Sequence, residues 1–311
     1  MIRVPMNPFA LPGVEFGLVK VLRPHEDHSQ DDLYVDVCGS HAAYQAFRTG
    51  FDVAAVTARG GFLLVVGDSG CGKTAVVNRC VHHMLKTLDG VVERVVVENL
   101  DRLLPSPFDQ VNQLSIQERI KTVCNELFHV LDSRGVLYNG ELDGLDKAGR
   151  EKGHLWALRR LPESLKPNTA VIVHLPTPGD LVDEITSYAY SATSPGVVFV
   201  TETSSLQREH LDHLRYRIPS DSAPPVIVSV QRITADEIRA FIADRLTRCA
   251  ATGIFPSVDK SGLAYLADHS NSIRRVQELC FRAYQARLDT NTDYTEDDVV
   301  TDGDFAGALG P

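Results

Sequence analysis

No stretch of this 311-residue chain approaches the ~20 consecutive apolar residues of a membrane-spanning helix, so none is expected to cross a bilayer. Positive charge is scarce: 31 Lys and Arg stand against 41 Asp and Glu, a formal net charge of −10. That balance argues against tight binding to nucleic acid through bulk charge, although a local basic stripe formed in an assembly stays open. The six cysteines are scattered and form no C-x-x-C pair, which excludes the usual zinc spacing and fits a reduced cytoplasmic protein. The first residues, Met1-Ile2-Arg3-Val4-Pro5, lack the apolar core of a secretory signal. The length exceeds one average domain and is ample for a buried core.

What is present is organised around Gly67-Asp68-Ser69-Gly70-Cys71-Gly72-Lys73-Thr74, which reads G-x-x-x-x-G-K-T. This is the pattern of a phosphate-binding loop, and its flanks are the required ones. Phe62 to Val66 is a short apolar run of the kind that makes a buried strand, and Thr74 to Leu88 has helical spacing without Pro or Gly. Glycines let the backbone wrap around phosphate, and the amides of Cys71, Gly72 and Lys73 would point at a β-phosphate with a helix dipole behind them. Lys73 would reach the β and γ oxygens, and the Thr74 hydroxyl would hold Mg2+. With Ala75, next on the helix, residues 67 to 75 form the expected ATP-binding set.

Residues 1–50 read as a leader expected to pack on the core, with a possible strand at Leu33-Tyr34-Val35-Asp36-Val37. His25 and His28 lie in a polar loop and are read as solvated rather than as metal ligands. His41 to Ala58 looks helical apart from Gly50. Further strands are expected around Val95-Val96-Val97, Thr169 to Leu175, Gly196 to Thr203 and Pro225 to Val230. Ser115-x-x-Glu118 is a capping box opening an amphipathic helix with Ile116, Ile120, Val123, Leu127 and Leu131 on one face. Residues 133–153, rich in Gly and Asp, are expected to be an exposed insertion. A short helix from Leu155 to Leu161 is expected to end at Pro162. Strands alternating with helices predict a three-layer α/β core with a parallel five-stranded sheet over residues 51–230. Thr234-x-x-Glu237 then opens a small helical domain over 231–300, with helices at Ala235 to Arg248, Lys260 to Asp268 and Ser272 to Arg287. A last helical turn is expected at Tyr294 to Val300, and a flexible tail over 301–311.

A P-loop core followed by helices resembles the AAA+ ATPases, from about Gly60 to Val300. Within them the chain is similar to the initiator-type clade of origin-recognition ATPases, the secretion ATPase ExeA and the transposition regulator TniB. Asn271-Ser272-Ile273-Arg274-Arg275-Val276 resembles the G-[DN]-x-R-R motif of that clade's lid. Ile233 to Ile238 and Tyr294-Thr295-x-x-Asp298-Val299 resemble the segments that open and close it. The resemblance implies ATP with Mg2+, a homo-oligomer with ATP at subunit interfaces, and DNA or a protein as client. It makes Arg274 sensor 2, Thr203 sensor 1 with Thr201 as second choice, and Arg215 or Arg217 an arginine finger with Arg208 as alternative. One departure stands out. The family's third strand ends in Asp-Glu, which supports Mg2+ and activates water; here His174 and Leu175 occupy those places. Imidazole suits hard Mg2+ poorly, and Leu orients no water. Asp180, Asp183, Glu184 and Glu98 are the carboxylates that could substitute. The competing functions are therefore an ATP-driven assembly factor and a nucleotide-gated scaffold with little turnover. A small-molecule kinase is disfavoured by the helices after the sheet, and a signalling NTPase by the lack of sensor repeats.

Overall fold

The computed structural model describes residues 7–10, 21–104, 114–178, 182–204, 210–212, 225–251, 253–290 and 297–308. The chain divides into two compact units. One comprises Ala43–Val66 and Val76–Ser229; the other comprises Met1–Ala42, Gly67–Ala75 and Val230–Pro311.

The first unit is the α/β core. Five strands, β1 (Gly61–Val66), β2 (Arg94–Asn99), β3 (Thr169–His174), β4 (Val197–Thr203) and β5 (Val226–Ser229), form one parallel sheet in the order β2-β3-β4-β1-β5. Every residue of β1 is buried, as expected for an unbroken apolar run in a parallel sheet covered on both faces. The register aligns the carboxyl ends. Val66, the last residue of β1, pairs with Thr203 on β4 and with Ser229 on β5. His174 closes β3 opposite Asn99 of β2.

The helix expected from His41 to Ala58 is two: α1 (Ser40–Gly50) and α2 (Val53–Arg59), the second capped by the Asp52 carboxylate. After β1 comes α3 (Lys73–Leu88), which buries Val77, Val81, Met84 and Leu88. The capping box of Ser115 and Glu118 is formed and starts α4 (Ile116–Ser133). Ile120, Val123, Leu127, Phe128 and Leu131 of α4 pack into the core with Phe62, Leu64, Val171, Val173 and Phe199 of the sheet.

Residues 133–153 differ from expectation. They contain α5 (Glu141–Lys152), with Leu145 buried and Leu142 and Ala148 packed on the same core. The helix has no side-chain cap at its start, where Gly140 takes a φ of 85°, so its only sequence signal is three apolar residues at a spacing of three. The short helix that follows is α6 (His154–Arg159). Pro162 does not end it but sits in the first turn of the next one, α7 (Leu161–Ser164), where its missing N–H costs nothing. Beyond β3 lies α8 (Val182–Ser187).

The second unit holds the glycine-rich loop Gly67–Ala75, the described leader residues and the C-terminal helices. Leu33–Val37 is not a strand: a 3-10 turn covers His28–Leu33, and among the described residues those after it pair with no strand. Instead the Tyr34 hydroxyl donates to the Ala75 carbonyl at 2.9 Å, and Ser40 Oγ donates to the Val35 carbonyl at 3.3 Å. The helices are α9 (Ala235–Cys249), α10 (Lys260–His269), α11 (Ile273–Thr290) and α12 (Asp302–Gly307). Thr234 and Glu237 form the capping box of α9. Phe9 is 2% exposed and its ring lies 6.1 Å from Phe241 of α9 and 5.0 Å from Tyr284 of α11. Asn7 Nδ2 donates to the Phe281 carbonyl at 2.8 Å.

Two further expectations are corrected here. Val299–Val300 is a two-residue strand, β7, paired in parallel with β6 (Ser257–Val258), while Tyr294 and Thr295 lie outside the described residues. The tail is also structured as far as Gly307. Thr301 and Asp304 cap α12, Phe305 is fully buried, and Arg287 binds Asp304 at 2.8 Å.

Candidate functional site

The loop between β1 and α3 is shaped by glycine where nothing else fits. A Cβ at Gly67 would fall 2.4 Å from Val230 Cγ2, and one at Gly70 would fall 2.8 Å from Ser272 Oγ. Gly70 and Gly72 have φ of 78° and 87°, in the left-handed region that L side chains avoid. The loop folds back on itself, with the Cys71 amide donating to the Asp68 carbonyl at 3.4 Å. Lys73, the first residue of α3, is 8% exposed, and its Nζ donates to the same Asp68 carbonyl at 2.8 Å. The first turn of α3 carries no acidic residue, so the positive end of its dipole is not offset from within the helix. Thr74 follows, half-buried. Ser69 is exposed, and Ala75 offers its carbonyl to Tyr34.

The start of α11 lies against this loop. The Arg274 amide donates to the Gly70 carbonyl at 3.2 Å, and Arg274 Cβ lies 3.4 Å from where a Gly70 side chain would begin. Arg274 is thus brought to the loop across 203 residues of intervening chain. Arg232, which no sequence motif marks, forms an ion pair with the Asp68 carboxylate, and that pairing holds its pKa above the ordinary arginine value. The Gln231 amide donates to the Cys38 carbonyl at 2.7 Å. Cys38 and Cys71 share a side-chain hydrogen bond; burial pushes the Cys38 thiol up to about 12 and raises that of Cys71 as well. Both are therefore neutral thiols at physiological pH. No local pattern marks Arg232 or Cys38 as neighbours of the loop, whereas Ser272 lies within the motif that carries Arg274. The one usable signal is that Val230 to Thr234 directly follow a core strand.

In the α/β unit, Thr203 is fully buried at the end of β4, beside Val66 in register. Thr201 is also buried, and its Oγ1 donates to the Pro176 carbonyl at 3.5 Å. His174 is 3% exposed and Leu175 is 2% exposed. The Leu175 amide donates to the Val200 carbonyl at 2.8 Å, which continues the β3–β4 ladder through that residue. Two of the substitute carboxylates are already engaged. Glu184 binds Arg119 Nε at 2.8 Å, and burial raises its pKa against the pull of that guanidinium. Glu98 binds Arg134 Nε at 2.7 Å, and burial raises its pKa too. Asp183 is exposed. Asp180, Arg208, Arg215 and Arg217 lie outside the described residues. Among the described residues no group of three His, Cys, Asp or Glu gathers as a metal site, and no helix is long and apolar enough to cross a membrane. Around α7, Arg160 pairs with Glu163 at 2.7 Å, Lys166 Nζ donates to the Gly135 carbonyl at 2.7 Å, and Arg159 is exposed.

The residues present fit a nucleotide phosphate group. The loop supplies a cradle closed to side chains at Gly67 and Gly70, a buried lysine, and a hydroxyl on the first helical turn.

No protein-family model and no curated protein matches the chain. Solved structures are similar to it in fold. The structure of Drosophila ORC bound to DNA shares 13% identity, over 97% of this chain and 70% of that one, with a TM-score of 0.49. A Walker-type ATPase of Pyrococcus abyssi shares 12% identity over 94% and 73%, with a TM-score of 0.48. The Aeropyrum pernix ORC1 protein, solved in complex with DNA, shares 18% identity over 86% and 64%, with a TM-score of 0.47.

Proposed function

We propose that this chain, an AAA+ P-loop ATPase in its fold, binds ATP with Mg2+ through Gly67 to Thr74 and uses bound ATP to drive oligomeric assembly on DNA or a protein client. The observation that carries the reading is the meeting of the loop with α11. The Arg274 amide on the Gly70 carbonyl links a phosphate cradle to a cationic residue on a different helix. In this reading the amides of Cys71 to Lys73 bind the β-phosphate, Lys73 spans the β and γ oxygens, and Thr74 is the Mg2+ ligand. Mg2+ held by Thr74 would supply charge neutralisation on the phosphates. Arg274 senses the γ-phosphate, Thr203 acts as sensor 1, and Arg215 or Arg217 serves a neighbouring subunit's site. The functional division is a leader (1–50), a core (51–230) and a lid (231–300).

ATP then acts as a switch because its γ-phosphate stabilises one conformation over another. Arg274→Ala is expected to weaken ATP binding about tenfold while leaving ADP within about twofold, the loss of one charge-assisted contact. Equilibrium titration of both nucleotides checks this, and equal losses would remove Arg274 from the sensing role.

A second reading, a nucleotide-gated scaffold with little turnover, has its own support. His174 and Leu175 are both buried, and Glu98 and Glu184 are each held by an arginine. None of these supplies a carboxylate ready to orient water. Light scattering with ATP or ADP, with and without duplex DNA, distinguishes a DNA client from assembly that needs protein alone.

A further inference from the structure

Asp68 sits inside the loop and presents a negative charge where a polyphosphate would add more. Two cations converge on it. Lys73 Nζ takes its backbone carbonyl at 2.8 Å, and the Arg232 guanidinium takes its carboxylate. Arg232 does not belong to the loop. It lies in the segment that leads into α9, between Gln231, whose amide is bound to Cys38, and Ile233, while Val230 lies against Gly67.

The side chains of Arg232 and Asp68 are 72% and 49% exposed, so the pair adds little to stability. Its effect is on the charge of the loop. An unscreened carboxylate five residues before Lys73 would repel a triphosphate and take up part of the lysine's field. With Arg232 in place, Asp68 is neutralised, and the cations Lys73 and Arg232 together outweigh the loop's single acid.

We infer that Arg232 is a positioning residue for the nucleotide: by pairing with Asp68 it lets the loop accept a polyphosphate, and it ties the loop to the lead-in of α9. This rests on the reading of Gly67 to Thr74 as the ATP site. Because the term is one of charge, it acts more strongly on ATP than on ADP.

The test is equilibrium binding of ATP and ADP, each with Mg2+, to the full chain and to Arg232→Ala, Arg232→Lys, Asp68→Asn, the double variant D68N/R232A, and Lys73→Ala. Arg232→Ala is expected to weaken ATP binding about five- to tenfold at low salt, ADP less, with the gap narrowing above about 0.3 M salt. Arg232→Lys should retain most of the affinity. The double variant, which removes both charges, should regain wild-type affinity, whereas a purely structural role for the pair would leave Asp68→Asn, Arg232→Ala and the double variant equally weakened, since each loses the ion pair. Wild-type ATP affinity in Arg232→Ala, or no rescue by Asp68→Asn, overturns the inference. A loss of binding in Lys73→Ala with Arg232→Ala unaffected removes only this inference, whereas unchanged binding in Lys73→Ala removes the ATP site itself.

Discussion

Lys73→Ala is expected to lower ATP affinity by at least about a hundredfold, ~2.7 kcal/mol at 25 °C. Lys73, the first residue of α3, is 8% exposed, and its contact with the Asp68 carbonyl shows that Nζ reaches across the loop. A charge-assisted bond to phosphate contributes roughly 1.5–3 kcal/mol, and Lys73 would make more than one. Alanine is an excellent helix former, so α3 keeps its start. Calorimetric titration with ATP and Mg2+, beside a thermal melt of the same sample, separates lost binding from lost fold. Wild-type affinity in a folded variant would place the nucleotide elsewhere.

The largest effect expected on stability comes from Arg119→Met, at about 3–5 kcal/mol of destabilisation. The Arg119 and Glu184 side chains are 4% and 1% exposed, and Arg119 Nη2 also donates to the Thr177 carbonyl at 3.0 Å. Removing the guanidinium strands a buried carboxylate. The double variant R119M/E184L removes both charges and should recover most of the loss. The effect depends on pH. Burial already raises the Glu184 pKa in the folded protein, and Arg119 opposes it, so the variant raises it further. An acid with a raised folded pKa binds its proton more readily in the native state than in the unfolded one. Stability then falls as pH rises from the unfolded value through the folded one. The Arg119→Met penalty should therefore be smaller at about pH 5 than at about pH 8, as read by urea denaturation. A pH-independent penalty would mean that lost packing, not stranded charge, is responsible.

The sheet was legible because each strand is a short apolar run between turn residues, and a parallel strand covered on both faces needs no alternation. The loop was legible because its chemistry is contiguous: strand, glycines, lysine, helix. The capping boxes at Ser115 and Thr234 were legible for the same local reason. What escaped was either weakly patterned or distant. In α5 the glycines and aspartates mask Leu142, Leu145 and Ala148, and only the core they pack against makes the helix. In α12 a single buried Phe305, with Thr301 as cap, orders a segment whose composition reads as a tail. Of the loop's surroundings, only Arg274 came through, by the motif at Asn271 to Val276. Arg232 is 164 positions from Asp68, and no spacing rule joins Cys38 to Cys71 or Ser272 to Gly70. Val35 and Val37 alternate as a strand does, yet among the described residues they pair with no strand.

The account stands on ATP acting as a switch for assembly. The most direct measurement is the mass of the purified chain by light scattering as ATP or ADP is added with Mg2+, with the bound nucleotide recovered and analysed. The account predicts a larger species with ATP than with ADP, absent in Lys73→Ala, and recovered nucleotide that remains largely ATP because His174 and Leu175 stand where a carboxylate pair would act. The same mass with and without ATP, and no nucleotide recovered with the protein, would contradict it.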